Sequence, residues 1–401
     1  MDKLQISLER IKSMTEDFSD RKIVAKGRFW KQYEGKVAHA NKYITLIAKR
    51  FDSKSDKQYH HFIKELEILS NYKHQNIIGL EGYYQDTDEA VIIYKCASNG
   101  RLNEHLNDAN VTWMKRLKIC IDVACGLHFL HTSGVVTKDI WIIHTDIKSS
   151  GILLNRVWRA KISNLESSLF DGEHKVIEDV TDNAYGSLGY LDPEYTQSGE
   201  MTHKSDIYSL GVVLLEILCG RLAWVEGCED PSQSLAPLAK QCFKEGKLDE
   251  LVFEGIKEQI DPESLTTFVE ITLNCLNDDK GDRPEASQVV TQLRKAMEIY
   301  ENSDLMYEPK LPGDYEELLR FTKMDNNPKK KDIYNMLREG VLLRDKEVCL
   351  SLGSNGERHY MVSARKFSYK NRWALKWKHI QQLRSLLIAF SLSLSLIYMQ
   401  N

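Results

Sequence analysis

Residues 142–154 of the chain read IIHTDIKSSGILL, in which Asp146 and Lys148 lie between two apolar ends. Residues 46–51 read LIAKRF, and residues 204–218 read KSDIYSLGVVLLEIL. The last stretch is apolar on nearly all sides, which is typical of a buried helix, and it is shorter than the roughly 20 residues that a membrane span needs. These stretches predict a folded core in which a few charged side chains form a functional site.

The composition is that of a globular protein. The chain has 401 residues, of which 42% are hydrophobic and 28% charged, with a formal net charge of −4. These values exclude a disordered, a collagen-like and a polytopic membrane protein, and the length suggests two to three domains. Short β-rich runs dominate before Ala97, with one amphipathic stretch, HHFIKELEILSNY (60–72), and helical patterns dominate from Val111 onward. This order predicts a small β-rich lobe followed by a larger helical lobe.

Single charged residues and one glycine occur in a fixed order along these lobes: Gly27 in a turn, Lys49, Glu65, Asp146 with Lys148, Glu194, Asp206 and Arg283. With the stretches YKHQNIIGL (72–80), GSLGYLDPEY (186–195) and GDRP (281–284), the chain resembles the protein kinase family over residues 18–302. Within that family it resembles the plant receptor-like and receptor-like cytoplasmic kinases. The resemblance implies an α+β, bilobal fold with a small N-lobe at 18–97 and a helical C-lobe at 98–302, after an N-terminal segment at 1–17.

The resemblance also implies a role for the charged residues. Lys49 and Glu65 are expected to form the ion pair that holds the α and β phosphates of ATP. Asp146 matches the catalytic base, and Lys148 matches the lysine that neutralises the transferred phosphoryl group. Two further groups follow from the same resemblance. The first is expected to line the nucleotide site: Gly27, Ala48, Tyr94 and Cys96. The second is structural: Ser187 beside the base, Asp206 as a buried anchor, and Glu194 in an ion pair with Arg283.

The phosphate-binding loop departs from the family pattern. It reads IVAKGRFWKQY (23–33), so Ala25 replaces the first glycine of G-x-G-x-x-G, Gly27 remains as the second, and Trp30 replaces the third. Gln32 replaces the valine that usually covers the adenine. The indole of Trp30 stands where backbone normally approaches phosphate. It either folds into the nucleotide site or turns outward, and ATP enters only in the second case.

The metal-binding positions depart as well. Thr145 stands for the arginine that reads activation-loop phosphorylation, Gly151 for the metal-binding asparagine, and Asn164-Leu165-Glu166 for Asp-Phe-Gly. Mg²⁺ requires oxygen ligands in octahedral geometry. We therefore expect it to bind poorly, unless Glu166 supplies a displaced carboxylate. The cysteines and histidines have no metal-ligand spacing, so no other metal site is expected.

These departures predict a pseudokinase that acts as a scaffold or allosteric partner of other protein kinases or receptors, with weak or metal-independent binding of ATP. Two alternatives are kept. Because Lys49, Glu65, Asp146 and Lys148 are all present, the first is an active but impaired serine/threonine kinase that transfers the γ-phosphate of ATP to protein hydroxyls. The second is a carbohydrate-binding module on a kinase-like scaffold.

The C-terminal quarter differs in composition. Residues 326–401 carry 14 Lys and Arg against 5 Asp and Glu, whereas the preceding part is net negative. We predict a linker at 303–328 and a further region at 329–379. Within that region, VCLSLGSNGERHYMVSARKFSYKN (348–371) resembles the opening of the plant phloem-lectin family. Because only part of that family's sheet is covered, we expect a partial β-rich region without a working glycan site.

Partners and location follow from the remaining segments. Basic and aromatic residues alternate at 365–378, but no nucleic-acid-binding module is recognisable, so we expect no nucleic-acid partner. The tail at 380–401 is apolar for about 15 residues, fewer than the roughly 17 of a short membrane span. A membrane anchor, a buried strand and a mispredicted gene end remain alternatives for it. The first residues lack a signal-peptide pattern and the cysteines are scattered, which predicts a cytoplasmic protein with membrane association only through the tail.

Overall fold

The small lobe is built on a five-stranded antiparallel sheet with the strand order β1-β2-β3-β5-β4. The computed structural model describes residues 4–39, 42–51, 56–133, 141–170, 186–224, 234–303, 346–352 and 358–364. The strands of this sheet are β1 (Ile23–Lys26), β2 (Trp30–His39), β3 (Lys42–Phe51), β4 (Leu80–Gln85) and β5 (Ala90–Lys95). The β-branched and aromatic residues that dominate these runs favour the pleated conformation.

Helix α1 (Leu8–Thr15) covers one face of the sheet. Its residues Ile11 and Met14 belong to a buried cluster with sheet residues that include Ala48. Successive side chains of a strand point to opposite faces, so Ala48 lies on the α1 face and its neighbour Lys49 on the other. The expectation that Ala48 lines the nucleotide site is therefore wrong. Ile47, two residues before Lys49 in β3, lies on the same face as Lys49 and packs in the same cluster as Tyr94.

Helix α2 (Asp56–Asn71) connects β3 to β4 and covers the second face of the sheet. The predicted apolar stripe, Phe62, Leu66 and Leu69, is buried in the cluster that contains Ile47. The opposite side of the helix carries exposed residues such as Glu67. The helix therefore brings Glu65 to the sheet face on which Lys49 lies.

The large lobe is helical. Its helices are α3 (Trp113–Thr132), α4 (Pro193–Ser198), α5 (His203–Cys219), α6 (Leu235–Lys244), α7 (Glu254–Lys257), α8 (Pro262–Cys275) and α9 (Ala286–Asn302). Its short strands are β6 (Ile142–Ile143), β7 (Ile152–Leu154), β8 (Ala160–Ile162) and β9 (Leu169–Phe170). Every residue of α5 from Ser205 to Cys219 is buried, as the sequence predicts. The helix ends at Gly220, whose φ of 67° suits a residue without a Cβ. The predicted α+β, bilobal fold is confirmed.

The ion pair that anchors the large lobe differs from the predicted one. Arg283 is buried and donates from both terminal nitrogens to the Asp192 carboxylate, each at 2.7 Å. Glu194 is partly exposed and instead pairs with Lys280 at 3.1 Å. Asp192 is the N-cap of α4, and its short side chain reaches the buried guanidinium, whereas Glu194 in the first turn of the helix is directed to the surface. The predicted pairing of Glu194 with Arg283 is therefore wrong.

Neutralising these two carboxylates should have different effects on stability. We expect Asp192→Asn to lower the free energy of unfolding by about 3 kcal/mol or more, because it leaves the guanidinium of Arg283 buried without a counter-charge. Glu194→Gln should change it by less than about 1 kcal/mol, because the pair with Lys280 is partly exposed. Urea unfolding of the full-length chain measures both. An equal loss in the two variants would contradict this assignment.

The chain divides into two units, Met1–Leu305 and Met306–Asn401. In the second unit, β10 (Lys346–Leu352) and β11 (Arg358–Ala364) form an antiparallel hairpin in which Leu350 is opposite Tyr360. The rest of region 329–379 and the apolar tail at 380–401 lie outside the described residues, so the lectin-like and membrane-anchor interpretations stay predictions. Among the helices that are described, none combines the length and apolar character required to cross a membrane.

Candidate active site

The predicted catalytic residues lie together at the edge of the large lobe. Lys148 Nζ is 2.6 Å from Asp146 Oδ2 and donates to Ser187 Oγ at 2.7 Å, and Ser187 donates to Asp146 Oδ1 at 2.8 Å. The loop that carries Asp146 is held by Asp206, which accepts hydrogen bonds from the backbone N–H groups of His144 and Thr145. The carboxylate, the ammonium and the hydroxyl expected from the sequence therefore form one connected group.

Lys49 and Glu65 form the predicted ion pair, with Nζ and Oε2 2.6 Å apart. Both side chains are almost completely buried. A second carboxylate lies on the same ammonium, because Lys49 Nζ also donates to Glu166 Oε2 at 2.7 Å. Glu166 belongs to the Asn164-Leu165-Glu166 segment, so the residue that replaces the family's glycine reaches into the centre of the cleft.

The two carboxylates have opposite pKa shifts. Burial is the largest cause of the Glu65 shift, and with the charge of Glu166 nearby it raises the pKa of Glu65 to about 7 despite the attraction of Lys49. Burial also disfavours the Glu166 carboxylate, but the charge of Lys49 and the hydrogen bonds from Lys49 and Trp30 outweigh it and lower the pKa of Glu166. Glu166 is thus the better-stabilised anion of the pair.

Trp30 folds into the cleft, which decides between the two alternatives that the sequence leaves open. Its indole N–H donates to Glu166 Oε1 at 2.5 Å, and Lys49 Nζ lies 4.7 Å from the ring centroid. On the other side, a Cβ added to Gly27 would clash with the indole. The ring therefore fills the space between the glycine of the loop and the ammonium of Lys49.

A chain of polar side chains crosses the cleft beside the indole. Gln32 donates to the hydroxyl of Tyr94 at 2.6 Å, and its carbonyl accepts from Arg101 Nη2 at 2.7 Å. Arg101 Nη1 donates to the carbonyl of Ser150 at 2.7 Å. These bonds connect β2 and β5 of the small lobe to the catalytic loop, the loop that carries Asp146 and Ser150. Arg101 was missed by the sequence analysis because it lies outside the family's motifs, although the polar Gln32 facing the cleft hinted that a partner was needed.

The turn before β2 is also fixed to helix α2. The ring of Phe29 stacks on the imidazole of His61, with centroids 4.9 Å apart and planes 14° from parallel. His61 Nδ1 donates to the carbonyl of Glu166 at 2.8 Å. Neither Phe29 nor His61 was singled out from the sequence. Phe29 of the turn and Trp30, the first residue of β2, thus contact groups that α2 and the Glu166 segment supply.

The positions that hold Mg²⁺ in the family carry no carboxylate here. Asn164 has a left-handed backbone with φ of 65°, and its buried Oδ1 accepts no hydrogen bond from the part of the chain that is described. A Cβ added to Gly151 would be 3.5 Å from Asn164 Nδ2, an ordinary contact, so the missing side chain leaves room rather than a clash. Within the described segments no group of three or more His, Cys, Asp or Glu could hold a metal ion. Poor binding of Mg²⁺ with ATP stays a prediction.

The remaining site residues predicted from the sequence lie in the loops and strands around the cleft. Thr145 has φ of 73° and donates from Oγ1 to the carbonyl of Ser167 at 3.1 Å. Cys96 is half-buried, which raises the pKa of its thiol, and packs against the small-lobe core. Ala25 is paired with Gln32 across β1 and β2. Any contact of Gly27, Tyr94 or Cys96 with a nucleotide stays a prediction.

The fold and this cleft are those of a kinase-like catalytic domain. Residues 18–293 match the protein kinase domain family, and the chain belongs to that family. It is 35% identical over 305 residues to the receptor-like protein kinase FERONIA of Arabidopsis thaliana, covering 74% of this chain and 33% of that protein. It is 36% identical over 307 residues to ANXUR2 and 35% identical over 300 residues to HERK 1 of the same plant, covering 34% and 35% of those proteins. The chain spans about a third of the length of these receptor-like kinases.

The raised pKa of Glu65 predicts a pH dependence of stability. The folded state binds a proton at Glu65 more tightly than the unfolded state, so stability should fall as the pH rises from 4.5 to about 7. The groups that face Glu65 are Lys49, Glu166 and Tyr94. Because Glu166 contributes to raising this pKa, Glu166→Gln should flatten the decline. Thermal midpoints measured across this pH range for both proteins give the comparison, with Glu67→Gln on the exposed side of α2 as control. Parallel curves would contradict the assignment.

Proposed function

We propose that the protein is a pseudokinase of the plant receptor-like type, which acts as a scaffold or allosteric partner of other protein kinases or receptors. One observation carries the proposal: Asn164 and Gly151 occupy the two positions that bind Mg²⁺ in active kinases, and neither offers a carboxylate. Mg²⁺ demands near-octahedral oxygen ligands and bridges the transferred phosphate in the family's reaction. Without it, the developing charge loses the metal ions that neutralise it in the family's reaction.

The size of the loss supports the proposal. Removing one preorganised electrostatic group typically lowers a rate by about 100-fold to 1000-fold. A typical kinase turns over roughly 1 to 100 times per second, so even one such loss brings it toward a turnover per minute. Here the two metal positions and the glycine loop are altered together.

Docking is the function that the remaining structure serves best. The large lobe keeps its buried helix α5, the Asp206 anchor and the Arg283–Asp192 pair. These interactions fix the surface of the large lobe independently of any nucleotide. A rigid surface reduces the ordering cost of association, and this favours binding to another protein. Weak, metal-independent binding of ATP stays a prediction, and it would require the indole of Trp30 to leave the space beside Lys49.

Phosphate transfer from radiolabelled ATP to protein substrates tests the proposal directly. We expect the purified full-length protein to show no transfer above that of Asp146→Asn, with either Mg²⁺ or Mn²⁺. The double variant Gly151→Asn/Asn164→Asp restores the family's metal ligands, and a Cβ at position 151 would make only ordinary contacts, so this variant is the control for ligand loss. Transfer by the wild type that Asp146→Asn abolishes would refute the proposal.

The active but impaired kinase is the second candidate, and a specific observation favours it. The Asp146–Lys148–Ser187 group has the hydrogen bonds that a base beside a substrate hydroxyl needs. On this alternative, the wild type transfers phosphate slowly and Asp146→Asn removes the activity. The same assay therefore decides between the two candidates.

A further inference from the structure

We propose that Glu166 is a built-in anion that takes the place of the nucleotide phosphates on Lys49, and that Trp30 seals it there. The inference deepens the proposed function. It rests on that function, because a pseudokinase would work with no nucleotide bound to its kinase-like domain. In active kinases this lysine pairs with the α and β phosphates and with the glutamate of the helix that follows. Here Glu65 is the glutamate of the helix, and Glu166 takes the place of the phosphates.

In the described part of the chain, two carboxylates and two aromatic rings surround the ammonium of Lys49. Its ammonium has three N–H donors and no acceptor. Two donors are directed to the carboxylates of Glu65 and Glu166, at 2.6 and 2.7 Å. The ammonium also lies 4.7 Å from the ring centroid of Trp30 and 5.0 Å from that of Phe51, within the range of cation–π attraction. Side chains of this chain therefore provide both carboxylates that pair with the lysine and the rings beside it.

The second carboxylate oxygen of Glu166 holds the phosphate-binding loop over the cleft. Glu166 Oε1 accepts the indole N–H of Trp30, while Oε2 accepts from Lys49, so one carboxylate joins the turn before β2 to β3. The indole lies against Gly27, in the space where phosphate would approach the loop backbone. The backbone carbonyl of Glu166 is held by His61 of α2 at 2.8 Å. Loop, strand and helix thus meet at Glu166, as they meet at the phosphates of a bound nucleotide in active kinases.

Arg101 extends this closure to the large lobe. Its two terminal nitrogens bond to Gln32 of β2 and to the carbonyl of Ser150 in the catalytic loop. The guanidinium thus bridges the lobes beside the indole. The closed arrangement is held from both sides of the cleft by groups that the chain itself provides.

A pair of double variants tests whether Glu166 occupies the phosphate position. Trp30→Gly removes the indole in both, and it is combined either with Glu166→Gln or with Glu67→Gln, an exposed glutamate of α2 that matches the change in net charge. We expect Trp30→Gly/Glu166→Gln to bind inorganic pyrophosphate about tenfold more tightly or better, because a like charge beside the anion is removed. Isothermal titration calorimetry measures the affinities. Equal affinities, including no binding by either variant, would overturn the inference.

Hydrogen exchange gives a second readout that needs no ligand. Glu166→Gln should speed exchange of the backbone amides at 27–30 and in the first half of α2, whereas Glu67→Gln should not. Unchanged exchange in Glu166→Gln would count against the inference.

If these variants do not fold, hydrogen exchange of the wild type with ADP tests the inference. Added ADP should leave exchange of the amides at 27–30 unchanged, and protection of these amides would overturn the inference. Binding of ADP without transfer would remove this inference alone, whereas Asp146-dependent transfer would remove the proposed function.

Discussion

The buried ammonium of Lys49 is the charge on which the cleft depends. A fully buried cation is strongly unfavourable unless it is paired and hydrogen-bonded, because transfer from water to the protein interior carries a large desolvation cost. An active kinase can leave part of this requirement to its nucleotide. This chain meets it internally, since Glu65 and Glu166 lie at 2.6 and 2.7 Å from Nζ. The arrangement places two carboxylates around one ammonium, and burial, together with the charge of Glu166, raises the pKa of Glu65.

At other positions of the cleft, too, groups of the chain itself occupy places that a bound phosphate takes in active kinases. Thr145 stands where active relatives have an arginine that reads a loop phosphate, and it bonds directly to the carbonyl of Ser167. Trp30 fills the space beside Gly27 that would admit a phosphate. Arg101 joins the lobes through Gln32 and Ser150. Each contact satisfies a polar group or fills a space with a group of the chain itself.

Sequence patterns predict those parts of this structure that depend on burial and on motif spacing. The apolar run of α5, the Lys49–Glu65 pair and the group around Asp146 were predicted and are present. Ala48 was placed on the wrong face because a shift of one residue along a strand exchanges the two faces of a sheet. Arg283 pairs with Asp192 and not with Glu194, two residues further along the chain, and the spacing of the motif does not distinguish the two. Whether Trp30 folds inward depends on its rotamer, which is set by Glu166, a residue 136 positions away along the chain.

The intact Asp146 group is weaker support for catalysis than it first seems. Asp206 is a buried anchor of the large lobe, and it holds the backbone of His144 and Thr145 next to Asp146. The fold therefore maintains this loop whether or not a reaction takes place. Gly151 and Asn164 differ, because a Cβ added to Gly151 would make only ordinary contacts and the Asn164 amide oxygen has no partner among the described residues. Side chains that do not support the fold are a more direct indication of whether phosphate transfer takes place. Neither of these two positions has a metal-binding carboxylate.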